Sequence, residues 1–336
     1  MDSENSNTVI IMKPPQPRLM PEYGDIPPPP SCWPRSREGV IQVAHDWYQM
    51  GHARIDEKKI EELPAGTITP MAEEENIMGS TIVGSPKTYL SNAEASIVIG
   101  AINHMFWDVK DGEFIRYQHE GKVGALAMTQ AVEKAWSEQN SPLWRARHKD
   151  QPLTLDGLTE VFGDIPAPEP RLDILNEILL SEKLPHMAQV AQRTGMAHDP
   201  MGVDMASKLA DAFPLGYADE LLKKAQLTVS GLWRQARQCG SLSTTDVTAF
   251  ADYQIPNVLR AMGMLSYAPE LDEKIDRGEL ILANSDEERS IRAASVLAVD
   301  LISAQQDVAV ADVDYWLWLR RGQATTPFHR TRTTLY

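Results

Sequence analysis

The stretch NAEASIVIGAINHMFW, residues 92–107, opens on Asn92, a helix-cap residue type, and then runs apolar for four turns. A helix that is apolar all round belongs in a core, and this one is too short to cross a bilayer. It therefore implies a helical protein with a real interior. Outward from it the same pattern recurs. Upstream, REGVIQVAHDWYQM follows Ser36 and puts Val40, Val43, Ala44 and Trp47 on one helical face. Downstream, helical phrases run through GALAMTQAVEKAWSEQ (124–139), LTLDGLTEVFG with a stop at Gly163, RLDILNEILLSEK, PHMAQVAQRTG, DMASKLADAF, ADELLKKAQLTVSGLWRQA, PNVLRAMGML and EERSIRAASVLAVDLISAQQ. In the last of these, Ile291, Ala294, Ser295, Ala298 and Leu301 are expected on one stripe. Between the helices, DGEFIRYQHEGK carries turn residues and an alternation of Phe114, Arg116 and Gln118 that reads as a small β-hairpin.

The expected fold is mostly α, a single helical domain over 35–336 with that hairpin. Residues 1–34 hold nine of the 23 prolines, including the run Pro27 to Pro30, and read as an extended or disordered leader. Residues 54–88, punctuated by Pro and Gly, read as a long irregular connection. No internal repeat is present.

With 336 residues, 43% of them hydrophobic, the chain can bury a large core. A formal charge of −15 repels polyanions, so no nucleic acid polymer is expected as a partner, whereas a small anionic molecule is compatible. Cys32 and Cys239 are the only cysteines, which fits a reducing cytoplasm and gives no zinc spacing. The start shows no signal pattern and no run of about 18 apolar residues occurs, so no membrane association is expected. GxGxxG, Walker-type and HExxH motifs are missing and the eight His are scattered, so neither a metal nor a cofactor is expected.

The chemistry concentrates in TDVTAFADYQIPNVLRAMGMLSY, residues 245–267. Pro256 marks a helix start and places Asp252 one turn upstream, where exposed N–H groups favour a carboxylate. A fixed carboxylate can stabilise, or attack, a cationic sugar carbon as a base departs. It can equally do no more than cap a loop. Phe250 and Tyr253 flank it as candidate substrate contacts. From Tyr315 to Tyr336 there is no acid, while Arg320, Arg321, His329, Arg330 and Arg332 collect there. That makes either an anion site or a tail laid over an acidic surface. Arg292, inside an apolar stripe, is expected in a buried ion pair. Phe106 and Trp107 can stack a flat base with Asn103 reading its edge, or can be core.

Several phrases resemble one family when taken together and in order: INHMFWD (102–108), RLDILNE (171–177), KKAQL (223–227), FADYQIPNVLRAMGMLSY, IRAA (291–294), DYWLW (314–318) and PFHRTRTTLY at the end. They are similar to the queuosine salvage proteins, queuosine 5′-phosphate N-glycosylases that release the base queuine from a nucleotide for reuse in tRNA. The resemblance covers roughly 90–336. It implies Asp252 as catalytic carboxylate, Lys223 as the site lysine, a small-molecule nucleotide substrate, and a fold like that of helix-hairpin-helix DNA glycosylases. Where the family tends to carry Gly-Tyr-Trp, this chain has Gly124, Ala125 and Leu126, and the connection between AFPLGYADE and KKAQ is shorter. A related 7-deazaguanine nucleotide is therefore an alternative substrate. A non-catalytic binder of a modified base or nucleotide is the alternative function.

Overall fold

The structure is a computed structural model that describes residues 33–70 and 89–336. The expected leader over 1–32, and the part of the irregular connection at 71–88, lie outside the described residues.

The first helix, α1 (Arg37–Tyr48), starts where Ser36 Oγ accepts the Gly39 N–H at 3.2 Å, and it buries Val40, Ala44 and Trp47 as its spacing demands. Residues 54–61, expected to be irregular, instead belong to β1 (Ala53–Ile55) and α2 (Glu57–Glu61), the latter capped by Asp56. Next comes α3 (Tyr89–Ala101), and here the sequence reading overran. The chain leaves the helix at Ala101, Met105 adopts a left-handed φ of 33°, and Trp107 opens a strand. An apolar run does not by itself separate buried helix from buried strand, and this run contains both.

The expected hairpin is present but begins earlier, as β2 (Trp107–Lys110) paired antiparallel with β3 (Glu113–Arg116). Its turn is Asp111-Gly112, both at positive φ, the geometry that suits a right-handed hairpin twist. A smaller pair, β4 (Gln118–His119) and β5 (Lys122–Val123), follows.

Helices then dominate: α4 (Ala125–Ser137), α5 (Pro142–Lys149), α6 (Leu155–Phe162), α7 (Pro168–Leu179) and α8 (Lys183–Met196). Of these, α5 was not read from the sequence, although Ser141 caps it and Pro142 sits in its first turn. The short β6 (Met201–Gly202) leads into α9 (Val203–Ala212), α10 (Pro214–Tyr217) and the central α11 (Lys223–Gln238). Beyond it lie β7 (Thr245–Asp246), parallel to β6, then α12 (Ile255–Ala261) and β8 (Leu265–Tyr267), which pairs with β1. The order closes with α13 (Pro269–Asp276), α14 (Asp286–Gln306) and α15 (Val310–Leu319).

Two helices form the spine. Every residue of α11 from Lys223 to Leu232 is buried, against α3, α8 and α9. At its closest approach to α3 a methyl group on Gly100 would overlap Thr228 Oγ1, so only glycine fits. The other, α14, packs against α1, α12 and α15. Ile291, Ala294, Ser295 and Ala298 of its expected stripe are buried, but Leu301 is 40% exposed. Ten residues of helical rotation carry it about 80° away from Ile291. One apolar cluster runs from Trp33 through these helices to Leu317, and a smaller one under the hairpin joins Met105, Trp107 and Ala167 to Phe114, Tyr253 and Phe328. Among the described residues no single helix is long and apolar enough to cross a membrane.

The start of the described chain corrects one boundary. Trp33, placed in the leader by its sequence, is 3% exposed in the main core, and Ser207 Oγ donates to the Pro34 carbonyl. A chain beginning at Ser31 is expected to keep its unfolding midpoint. One beginning at Ser36 is expected to lose about 2–3 kcal/mol, the burial value of a large side chain, in urea titrations. Equal stability of the two would show that Trp33 contributes nothing.

Candidate active site

Asp252 stands at the turn into α12. Its Oδ1 accepts the N–H groups of Gln254 at 2.7 Å and Ile255 at 3.1 Å, satisfying two donors of the helix start. Its Oδ2 has no hydrogen-bond partner among the described residues, and the side chain is half-buried. The capping and functional readings of this acid thus coexist: one oxygen fixes the carboxylate, and the other is left for a ligand.

The backbone on either side is pinned by buried charges. Phe250 N–H donates to Asp314 Oδ2 at 2.8 Å, and the Ala251 carbonyl accepts from Arg292 Nε at 3.1 Å. The Arg292 guanidinium also donates to Asp219 Oδ2 at 2.7 Å, and that same oxygen accepts the Lys223 N–H at 2.8 Å. Arg292 is fully buried, as its place in an apolar stripe required, with Asp219 as the acid it pairs with and Glu288 3.6 Å away. Burial works against its charge, and the two carboxylates outweigh burial, so its hold on the proton is strengthened. One chain of contacts thus runs from α15 through residues 250–252 to α14 and the start of α11.

The start of α11 differs from the sequence reading. Residues 218–222 are not helical, because Leu222 takes a left-handed φ of 53° and Asp219 takes over the Lys223 N–H. This irregular lead-in is what puts Lys223 at a helix start, 3% exposed. Burial lowers the proton affinity of its ammonium, while Asp252 and then Asp314 oppose that effect. Burial raises the Asp314 carboxyl to about 7, with the Phe250 N–H opposing and Asp252 adding to the rise. Lys223, Asp252 and Asp314 therefore share one electrostatic neighbourhood.

The remaining sequence candidates separate. Asn103 is half-buried, and its amide has no hydrogen-bond partner among the described residues. Phe106 is buried in the main core, where it stacks on Tyr117 with centroids 6.3 Å apart, under the Arg171 guanidinium. Trp107 is 2% exposed and packed between Phe114 and Phe328, so the alternative that Phe106 and Trp107 are core is the one their packing favours; Phe250, expected as a substrate contact, is 3% exposed and also lies in the main core. Tyr253 is half-buried against Phe328 at 4.7 Å, and burial raises its phenol, which stays protonated.

The C-terminal arginines are mostly engaged by protein. His329 is 2% exposed beside Tyr336 Oη, and burial lowers it to about 3, so it carries no charge for an anion. Arg330 donates to the Gly278 carbonyl and lies over the Phe114 ring; Arg332 pairs with Asp108 at 3.1 Å. The segment is inserted into the fold instead of lying on its surface: Ile281 N–H donates to the Arg330 carbonyl, and Met105 N–H to the Tyr336 carbonyl. Within this cationic group, the exposed Arg321 is stacked over Trp318 and feels the Asp252 charge. Deleting 329–336 is accordingly expected to lower the unfolding midpoint and to abolish turnover of nucleotide and free nucleoside alike. A selective loss for the phosphorylated form, measured by steady-state kinetics, would return the tail to phosphate binding.

Two phrases that carried the resemblance prove to be supports. Arg171 donates to the carbonyls of Pro166, His104 and Met105, and Lys224 Nζ to the Ala101 carbonyl at 2.7 Å. Together they hold the 101–107 segment. Sequence reasoning gave no role to Asp219 or Asp314. For Asp314 a signal existed: it lies on the buried side of α15 with Val310, Val313 and Leu317, an acid on an apolar face.

Fold and site together define a mostly helical protein whose charged centre, built on helix starts, is suited to breaking an N-glycosidic bond. The chain belongs to the queuosine salvage protein family, whose sequence model matches residues 88–336. It is 31% identical over 267 residues to the queuosine 5′-phosphate N-glycosylase/hydrolase of Sphaerobacter thermophilus, covering 71% of this chain and 80% of that relative. The mouse protein of the same name is 27% identical over 278 residues, with 71% and 80% covered. The one from Schizosaccharomyces pombe is 27% identical over 270 residues, with 69% and 76% covered.

Proposed function

We propose that this protein hydrolyses the N-glycosidic bond of queuosine 5′-monophosphate, or of a close 7-deazaguanine nucleotide, and so releases queuine for salvage into tRNA. The observation that carries this is Asp252, clamped by two N–H groups with one oxygen free beside the buried Lys223. As the bond from C1′ to the base breaks, positive charge grows on the sugar, and a carboxylate already in place stabilises it without reorganising. Water then adds to C1′, directly or after Asp252 has bonded to it. Lys223 keeps the carboxylate oriented and balances its charge.

In this reading the Asn103 side-chain amide meets an edge of the base, and the half-buried Tyr253 lines its approach. Of the tail cations that the sequence grouped as an anion site, Arg321 takes the phosphate-facing role, and His329, Arg330 and Arg332 do not. The likeness to helix-hairpin-helix DNA glycosylases, a single domain over 35–336 and a cytoplasmic location belong to the same reading. So does the lack of a nucleic acid partner, for which the charge of −15 argues.

The test is incubation with queuosine 5′-monophosphate, queuosine and guanosine 5′-monophosphate, with freed bases measured by mass spectrometry. Release is expected fastest from the first. Binding of all three with release from none would make the protein a binder on the same fold.

A further inference from the structure

A departing base takes up a proton, and Asp252 as a carboxylate has none to give. The buried titratable groups around the site differ in their fitness to supply one. The Tyr253 phenol is raised by burial and holds its proton too firmly. The buried His104 is pushed well down, chiefly by burial, and is neutral; His329 is neutral and occupied with Tyr336. That leaves Lys223 and Asp314.

We propose that Asp314 is the proton donor of the reaction, an inference that rests on the glycosylase reading above. Its carboxyl is 4% exposed and oriented by one bond, the Phe250 N–H on Oδ2, two residues from Asp252. The proton then resides on Oδ1, which makes no hydrogen bond to the described residues. Asp252 and Lys223 are the charged groups that bear on it. Arg292 of α14 is held by Asp219, Arg260 of α12 by Asp272 and Asp276, and Asp312 of α15 faces Arg234. The nearby Asp252 charge disfavours a second anion, which keeps Asp314 in its acid form until the base needs the proton.

The step balances. The electron pair of the C1′–N bond goes to the base, the Oδ1 proton of Asp314 moves to the base, and the oxygen of water bonds to C1′. The proton lost by that water restores Asp314, and Asp252 begins and ends ionised. Two acids with opposed protonation at one bond divide the work of a glycosidase between them.

The experiment is the pH profile of kcat/KM on queuosine 5′-monophosphate for the parent, Asp314→Asn and Asp314→Glu, with unfolding midpoint and nucleotide affinity measured alongside. The parent is expected to lose activity as pH rises through about 7, because only the protonated carboxyl works. Asp314→Asn is expected to lose about 100-fold or more below that pH and to show no such fall. Asp314→Glu is expected to restore both rate and fall in part. A slow Asp314→Asn that keeps the parental fall would give the titration to Lys223 and overturn the proposal, as would a variant with the parent's rate. Carboxyl 13C NMR of the unmodified protein is independent of how the variants fold: one aspartate is expected to remain protonated at about pH 6, far above the ordinary range. A fully ionised set there overturns the assignment. Absence of base release from the parent would sink the glycosylase reading and this proposal with it; release with an unaltered Asp314→Asn profile sinks this proposal alone.

Discussion

Asp252→Asn is expected to keep the unfolding midpoint and nucleotide affinity of the parent while turnover falls by about 100- to 1,000-fold. The amide oxygen of asparagine can still accept the N–H groups of Gln254 and Ile255, so the turn into α12 keeps its cap. What disappears is the negative charge on the free oxygen, and that charge acts mainly once the sugar has become cationic. A loss confined to the transition state appears in kcat and spares binding. Single-turnover kinetics and calorimetry on the same preparation separate the two. A variant as active as the parent would remove Asp252 from the mechanism, and one that neither folds nor binds would reduce it to a cap.

The second large effect concerns stability. Arg292→Met is expected to cost about 3–5 kcal/mol in urea unfolding, because it leaves Asp219 and Glu288 buried without their cation. It also strips the Ala251 carbonyl of its donor and removes the guanidinium from over the Tyr336 ring, 4.6 Å away. The loss therefore reaches both the Asp252 turn and the inserted tail. A cost below about 1 kcal/mol, the range of exposed ion pairs, would contradict the pinning of the site by this network.

How much of this was legible in the sequence depends on the range of the interaction. Helical periodicity is local, and it placed α1, α4, α6, α8, α9 and most of α14 because each needs only its own spacing, helped in α1, α6 and α14 by caps at Ser36, Thr154 and Ser285. It overran at 92–107, where the helix stops at Ala101 and the chain turns through Met105 into a strand, and at 218–222, where the helix starts after Leu222; Met105 and Leu222 have left-handed backbone that no apolar pattern announces. The site divides in the same way. Asp252 was legible because Pro256 and a helix start are close by in sequence, and the burial of Arg292 was legible from its stripe. The tail was not: His329, Arg330 and Arg332 read as an anion site or as a tail over an acidic surface, and only the fold brings Tyr336, Gly278 and Asp108 to them. Asp314 reaches the Phe250 N–H across 64 residues of chain, a contact that spacing within either segment could not reveal.

The most direct test of the central claim is to incubate the protein with queuosine 5′-monophosphate and quantify both halves of the molecule by mass spectrometry, with Asp252→Asn run in parallel. The expected result is queuine and ribose 5-phosphate in equal amounts from the parent and almost none from the variant over the same time. Nucleotide bound by the parent but recovered intact, or released equally by both proteins, would contradict it.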